Sequence, residues 1–137
     1  MWEVPLVESS VGHMSKIGRR SLQPEERAFL EKVANKLPHE RSRRLAADIQ
    51  TASVRQDGDF LCVDLPGYLR PDYRGHQNLP FEGRMRDVAG GALSILINMD
   101  QNDRLLSIEF IFWEASGTAP DWTTLTIVPE QPAGTSA

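Results

Sequence analysis

Apolar side chains recur at helical spacing early in the chain and at alternate positions further on. Around residues 24–37 they lie three to four positions apart and form one stripe: Leu22, Phe29, Leu30, Val33 and Leu37. This spacing predicts a helix with one buried face. Pro24 suits the first helical position, where an N–H has no partner in any case, and Pro38 ends the helix. A second, shorter helix is predicted over 39–48, with Leu45 and Ala46 on its inner side.

A first pair of strands is predicted at 50–55 and 59–65, where apolar and polar residues alternate. Asp57 and Gly58 lie between them, and both residue types tolerate the positive φ that tight hairpin turns require. The two segments are therefore expected to form a β-hairpin.

A second hairpin is the most regular part of the sequence. Residues 92–99 and 105–114 alternate on both sides of a short polar segment. Two apolar rows point the same way: Leu93, Ile95, Ile97 and Met99 on the first strand, and Leu106, Ile108, Phe110 and Phe112 on the second. We expect these rows to form the core face of a sheet, against which the first helix packs. The opposite face mixes polar residues with Leu96, Ile111 and Trp113, so part of it is expected to be covered or to be an interface.

The remaining segments show weaker patterns. Residues 66–91 contain three prolines, five glycines and four arginines, which predicts a long irregular connection, a kind of loop that is usually functional or disordered. Residues 122–128 are predicted to form a short strand or an extended tail. We expect residues 1–20 to be an N-terminal arm or edge strand, and residues 130–137 to be a disordered tail.

Together these elements predict a single α+β domain over 21–129, with one or two N-terminal helices packed on one face of an antiparallel meander sheet of four to five strands. The length of 137 residues fits one domain, and 40% hydrophobic with 25% charged residues is ordinary for a globular protein. No apolar stretch approaches the ~20 residues of a membrane helix, and the single cysteine, Cys62, excludes an internal disulfide. A soluble protein in the reducing cytoplasm, without membrane contact, is therefore expected.

Acidic residues dominate the C-terminal third of the chain. Residues 92–137 contain one basic residue, Arg104, against six acidic ones, and the whole chain has a net charge of −4. This balance weighs against nucleic acid as a partner, because nucleic-acid binders need a concentrated basic surface. The competing interpretation is a basic-aromatic surface that grips a phosphate backbone and stacks on bases. Its residues would be Arg19, Arg20, Arg41, Arg43, Arg44, Tyr68, Arg70, Tyr73 and Arg74.

No catalytic, cofactor-binding or metal-binding residues can be assigned from the sequence. His13, His39 and His76 are isolated from one another and from other ligand types at metal-binding spacing. The segment from Asp100 to Asp103 resembles the start of a calcium loop but lacks its glycine and its distant glutamate, so a turn between strands is favoured. Neither a phosphate-binding glycine loop nor a nucleophile elbow is present. We therefore expect a protein that is not an enzyme and has no cofactor.

Binding to another protein is the favoured activity. Tyrosine, tryptophan and arginine dominate interface energetics, and acidic residues suit a basic partner. The candidate partner-binding residues combine these types: Tyr68, Arg70, Tyr73, Arg74, Asp100, Asp103, Glu109 and Trp113. For Trp113 and Trp122, burial in the core is the favoured alternative.

Three segments of the chain together resemble a group of small uncharacterised bacterial α+β proteins. The segments are 20–26 with the helix that ends at Leu37-Pro38, the hairpin described above, and the segment 121–125. Proteins of this group often occur beside polymorphic or contact-dependent toxins. The resemblance therefore implies an immunity protein that binds one toxin domain and neutralises it, and it assigns no residue a role.

Two alternatives remain at this point. A phage-encoded inhibitor of a host defence complex, such as an anti-CRISPR protein, would have the same size, acidity and lack of motifs. A nucleic-acid-binding accessory protein would use the arginines named above. The chain is expected to be a monomer or a homodimer.

Overall fold

Two helices come early in the chain and most of the strands follow them. The computed structural model describes residues 18–114 and 118–130. In chain order the elements are β1 (Arg20–Ser21), α1 (Pro24–Ala34), α2 (His39–Thr51), β2 (Ser53–Asp57), β3 (Phe60–Asp64), β4 (Gln77–Asn78), β5 (Phe81–Asp87), β6 (Ala92–Met99), β7 (Leu105–Phe112) and β8 (Pro120–Pro129). The α+β class predicted from the sequence is confirmed.

All strands belong to one antiparallel sheet, in the order β1-β2-β3-β7-β6-β5-β8. The short strand β4 also pairs with β6, beyond the end of β5. The sheet therefore has eight strands, and the prediction of four to five was too low. The predicted hairpins β2–β3 and β6–β7 are both present, and β3 pairs with β7 to join them.

The extra strands lie largely in the stretch 66–91, which was wrongly predicted to be irregular throughout. In β5 the core-facing positions include Gly83 and Met85, which are buried, while the intervening positions carry charged side chains. A glycine gives no apolar signal, so the alternation is hard to detect. The structure shows why glycine is needed, since a Cβ at Gly83 would come within 2.9 Å of side-chain atoms of both Leu125 and Phe29.

The apolar rows of β6 and β7 form the centre of the core, as predicted. Ile95 and Ile97 are fully buried, and Ile108 and Phe110 lie opposite them on the neighbouring strand. The α1 stripe shares the same cluster: Phe29, Leu30 and Val33 are all 0% exposed. Burying this apolar surface supplies the main favourable free energy of folding.

One position in the predicted rows was wrong. The register between β6 and β7 shifts between Asn98 and Met99, so that Asn98 lies opposite Ser107 while Met99 lies opposite Leu105. Leu106 is the extra residue of this β-bulge. Leu105 is therefore the core residue at 0% exposure, and Leu106 is only partly buried.

The ends of several elements also differ from prediction. Helix α2 continues to Thr51, so β2 begins at Ser53 and not at residue 50. The first hairpin turn has Gly58 and Asp59 at its centre, because Asp57 is still paired with Phe60. Gly58 has φ 60°, as the first central position of a type II′ turn requires.

The two ends of the chain are only partly described. β1 is an edge strand at the end of the predicted N-terminal segment, and predictions for residues 1–17, including His13, lie outside the described residues. β8 extends from Pro120 to Pro129 and confirms a strand there. Of the predicted tail only Glu130 is described, and its N–H donates to the carbonyl of Pro80 at 2.9 Å.

The bulge yields a prediction that separates two adjacent leucines. We expect Leu105→Ala to lower the free energy of unfolding by ~2–5 kcal/mol, because it leaves a cavity in the packed core. Leu106→Ala is the matched control and should cost about 1 kcal/mol or less, since that side chain is partly solvated. Urea unfolding of both variants measures the difference. Equal losses would contradict the register described here.

Candidate functional site

The eight candidate residues named from the sequence lie in three separate places. Four of them meet at the turn between β6 and β7: Tyr68, Arg70, Asp100 and Asp103. Tyr73 and Arg74 lie further along the loop 65–76 and are exposed. Glu109 and Trp113 lie on the face of the sheet opposite the helices, which we call the outer face.

The loop 65–76 crosses the end of the β6–β7 hairpin. It has to do so because β3 and β4 lie on opposite sides of that hairpin in the sheet. At the crossing, the Tyr68 hydroxyl donates a hydrogen bond of 2.6 Å to Asp100 Oδ2. The side chain of Gln101 donates to the carbonyl of Asp72 at 3.1 Å. The loop is thus fastened to the turn at two points.

Asp100 is the centre of this attachment and is only 3% exposed. Besides Tyr68, its carboxylate accepts hydrogen bonds from Arg70 Nη1 at 3.0 Å and from the backbone N–H groups of Asn102 and Arg104. Burial alone would raise the pKa of this carboxyl, but the donors together hold its pKa below the ordinary value. Burial and the hydrogen bond to Asp100 raise the pKa of Tyr68. Both groups therefore keep their ordinary charge states at neutral pH.

A second buried aspartate joins helix α2 to the same turn. Asp48 accepts hydrogen bonds from Arg104 Nε and Nη2, the latter at 2.8 Å, and from the N–H of Leu105 at 3.1 Å. The Arg104 guanidinium also lies 4.2 Å from the centre of the Tyr68 ring. The hydrogen bond to Asp48 raises the pKa of Arg104. One arginine thus links the helix, the turn and the loop.

A third aspartate completes the attachment. Asp103 has φ 59°, a left-handed conformation that aspartate tolerates better than most residues. Its carboxylate accepts from Arg41 Nε and Nη2, at 3.0 and 2.7 Å, and from Arg44 Nη1 at 2.9 Å. We call Asp48, Asp100 and Asp103 with their donors the aspartate clamp. Four of the predicted partner-binding residues belong to it, so their polar groups are already engaged within the chain.

Most of the arginines that a nucleic-acid-binding surface would need form ion pairs within the chain. Of the seven named above, five are paired with a carboxylate: Arg19, Arg20, Arg41, Arg44 and Arg70. Arg43 and Arg74 have no such partner among the described residues. A phosphate backbone would have to compete with the internal carboxylates, which weakens the case for that function.

The outer face exposes a mixed apolar and acidic surface. Trp113 is 64% exposed and Phe60 37%, while Leu96 and Ile111 are partly buried between them. In the strand register Glu109 lies directly between Phe60 on β3 and Leu96 on β6. We call these five residues the outer-face patch.

Trp113 is held in a defined orientation. Its indole Nε1 donates a hydrogen bond to Ser94 Oγ at 2.8 Å, and its backbone N–H donates to the carbonyl of Ala92 at 3.0 Å. Beside the ring is a depression of ≈ 260 Å³ whose wall includes Glu82 and Arg84, an ion pair 3.0 Å apart. A fixed aromatic ring next to a shallow depression is the geometry of an anchoring residue at an interface.

The two tryptophans thus have different environments. Trp122 lies 6.3 Å from both Phe29 and Phe110, measured between ring centroids, and packs against the core while it is only partly buried, so the predicted core burial is confirmed in part. The core alternative for Trp113 was wrong. Phe60 and Arg84 were not predicted as surface candidates. For Phe60 a signal was present, because successive side chains of β3 point to opposite faces and Phe60 therefore shares the face of Cys62, away from the core residue Leu61.

A cleft of ≈ 240 Å³ lies on the other face, at the start of α1. Its wall includes Arg20, Glu26, Gln56 and Trp122. Glu26 is bound by Arg20 at 2.9 Å and also accepts from the N–H of Gln23, so its charge is balanced and its oxygens are engaged in capping the helix. The described wall contains the carboxylates Glu26 and Asp59 but no histidine or cysteine.

Neither metal ligands nor membrane helices are found in the part of the chain that the structure describes. Within 18–114 and 118–130, no three side chains of His, Cys, Asp or Glu converge as metal ligands do. Neither helix there is long and apolar enough to cross a membrane. The segment from Asp100 to Asp103 is the turn between strands that was favoured over a calcium loop.

Comparison with known proteins adds no relative. No family model, no curated protein and no solved structure matches the chain. The resemblance to immunity proteins therefore remains a prediction.

The aspartate clamp predicts a specific dependence of stability on pH. Because the folded pKa of Asp100 is lower than its unfolded value, its contribution is complete above about pH 4 and is lost as the pH falls through the folded pKa. We expect Asp100→Asn to lower the free energy of unfolding by ~1–3 kcal/mol at neutral pH. In acid, the difference in this free energy between the variant and the unsubstituted chain should become smaller. Urea unfolding at neutral pH and at about pH 3 measures this.

Asp72→Asn is the matched control, since Asp72 is an exposed carboxylate on the same loop. It should change stability by no more than about 0.5 kcal/mol at either pH. If Asp100→Asn left the pH dependence unchanged, the carboxylate would not have the role assigned to it.

Proposed function

We propose that this chain is a non-enzymatic inhibitor that binds another protein through the outer-face patch. The observation that carries the proposal is the exposure of Trp113 on a sheet face that neither helix covers. Large apolar side chains exposed together on one face are typical of interaction sites. Tryptophan is also the residue type most enriched among the side chains that dominate binding energy.

The charge of the patch favours a basic partner. Glu109 lies between two apolar side chains, Phe60 and Leu96, where a lysine or arginine of the partner could pair with it while its stem contacts the apolar neighbours. The net charge of −4 adds long-range attraction, which raises the association rate more than the final affinity.

Within this class, an immunity protein that neutralises a cognate bacterial toxin is the function we favour. A toxin domain that acts on nucleic acid must itself be basic, so an acidic binder with an apolar anchor is complementary to it. The resemblance of three segments to immunity proteins agrees with this assignment. The internal pairing of the arginines supports the protein-binding function over the nucleic-acid alternative.

The first test is co-expression with the toxin domain encoded beside this chain. The proposal expects a stable complex of equal stoichiometry and protection of cells that express the toxin. Absence of binding to that domain, together with absence of protection, would contradict the immunity assignment.

Variants of the patch test the surface itself. We expect Trp113→Ala to weaken binding by about 30-fold or more, because it removes the anchoring ring, which corresponds to ~2 kcal/mol. Glu109→Lys should weaken it as well, by reversing the central charge. Isothermal titration with the purified toxin domain gives both values.

Tyr73→Ala is the matched control for these variants. Tyr73 is a large aromatic residue with 68% exposure on the loop 65–76, away from the patch. Its removal should leave affinity unchanged within about twofold. If Tyr73→Ala were as harmful as Trp113→Ala, the loop and not the outer face would be the binding surface.

A further inference from the structure

The two edges of the sheet differ strongly in length. β1 at one edge has two residues, whereas β8 at the other has ten. Exposed edge strands are usually protected by charges, prolines or bulges, because their free N–H and C=O groups can pair with another chain. In β8 the prolines lie only at the two ends, and the segment 122–128 has no charged residue. The register with β5 shifts before Thr126, since Arg84 pairs with Thr126 but Arg86 pairs with Asp121. The regularly paired end, residues 126–129, is therefore the part of the edge that is open to a further strand.

The direction of the backbone groups along this edge follows from one hydrogen bond. The N–H of Glu130 donates to the carbonyl of Pro80, on the β5 side. Successive N–H groups of a strand point to opposite sides, so those of Val128 and Thr126 also point toward β5. The N–H of Ile127 consequently points outward, away from the sheet. The C=O groups of Leu125 and Ile127 do so as well, because each points opposite to the N–H of the following residue in a trans peptide.

A groove runs beside this edge, between β8 and α1. Its volume is ≈ 500 Å³, and it is lined by Leu125 and Ile127 below and by Lys32, Asn35 and Lys36 above. Lys36 Nζ lies 6.0 Å from the centre of the Phe81 ring. Within the described ranges neither lysine has a carboxylate partner, so the groove presents two positive charges over an apolar floor.

We propose that β8 accepts an extended segment of a partner protein in which acidic and apolar residues alternate. A strand added to β8 would bond to the outward N–H of Ile127 and to the outward C=O groups of Leu125 and Ile127. Every second side chain of that strand would enter the groove. A glutamate there would lay its methylene groups on the apolar floor and bring its carboxylate to Lys32 or Lys36.

A second copy of this chain fits the edge less well. Two-fold pairing of β8 with β8 would place the same strand in each groove. The segment 122–128 has no carboxylate to offer the lysines. The unmatched lysines therefore favour a different, acidic segment, and the inference does not depend on the outer-face patch.

Hydrogen exchange of individual amides tests the proposal. The probe is a seven-residue peptide with blocked ends in which valine alternates with glutamate, and the matched peptide has lysine in place of glutamate. We expect the glutamate peptide to slow exchange of the Ile127 amide by about tenfold or more at saturation, because that N–H group becomes bonded. The Val128 amide already faces β5 and should change little. The lysine peptide should have no effect.

Charge reversal in the groove gives the second arm of the test. The double variant Lys32→Glu and Lys36→Glu should weaken binding of the glutamate peptide by about tenfold or more and strengthen binding of the lysine peptide. Arg43→Glu is the control, since Arg43 is exposed on α2 and lies outside the groove. It should leave the affinity for both peptides unchanged.

Three outcomes would overturn the proposal. The first is saturating binding without protection of the Ile127 amide, or no binding at all. The second is equal affinity for the glutamate and lysine peptides. The third is a concentration-dependent dimer of the free chain in which the Ile127 amide is protected, which would make a second copy the occupant of the edge.

Discussion

Burial of the apolar rows of β6 and β7 together with the α1 stripe is the interaction on which the rest of the structure depends. Ile95, Ile97 and Phe29 are fully buried in this shared core. Because both helices precede the main strands and pack on the same face, they leave the other face of an eight-stranded sheet without helical cover. The exposed position of Trp113 is a direct consequence of this one-sided packing.

The aspartate clamp explains why Tyr68 and Arg70 of the loop 65–76 are poor candidates for recognition, whereas Tyr73 and Arg74 of the same loop stay exposed. Asp48 and Asp100 are almost completely buried, and each is surrounded by donors that offset the cost of burying a carboxylate. The clamp connects α2, the β6–β7 turn and the loop where the chain crosses the end of the sheet. Its residues have interface chemistry but internal partners, and we therefore propose the outer face and the β8 edge as binding surfaces.

The sequence predicted the parts of the fold that depend on regular alternation. The helix α1, both hairpins and the core positions Ile95 and Ile97 follow from periodicity alone. β5 was missed because Gly83 gives no apolar signal and its neighbours are charged. Leu106 was misplaced because a bulge shifts the register by one residue without any local sign. Tertiary pairing cannot be read from spacing, so the internal role of Tyr68 and its neighbours became visible only in the folded chain.

The most direct test of the outer face as the binding surface is a fluorine NMR titration of the chain labelled with 5-fluorotryptophan. Trp113 and Trp122 lie on opposite faces of the sheet, and substitution of each assigns its signal. On addition of a toxin domain, the partner proposed above, we expect the Trp113 signal to shift and to become protected from a soluble paramagnetic agent, while the Trp122 signal stays unchanged. A complex that leaves Trp113 as exposed as in the free chain would contradict the account.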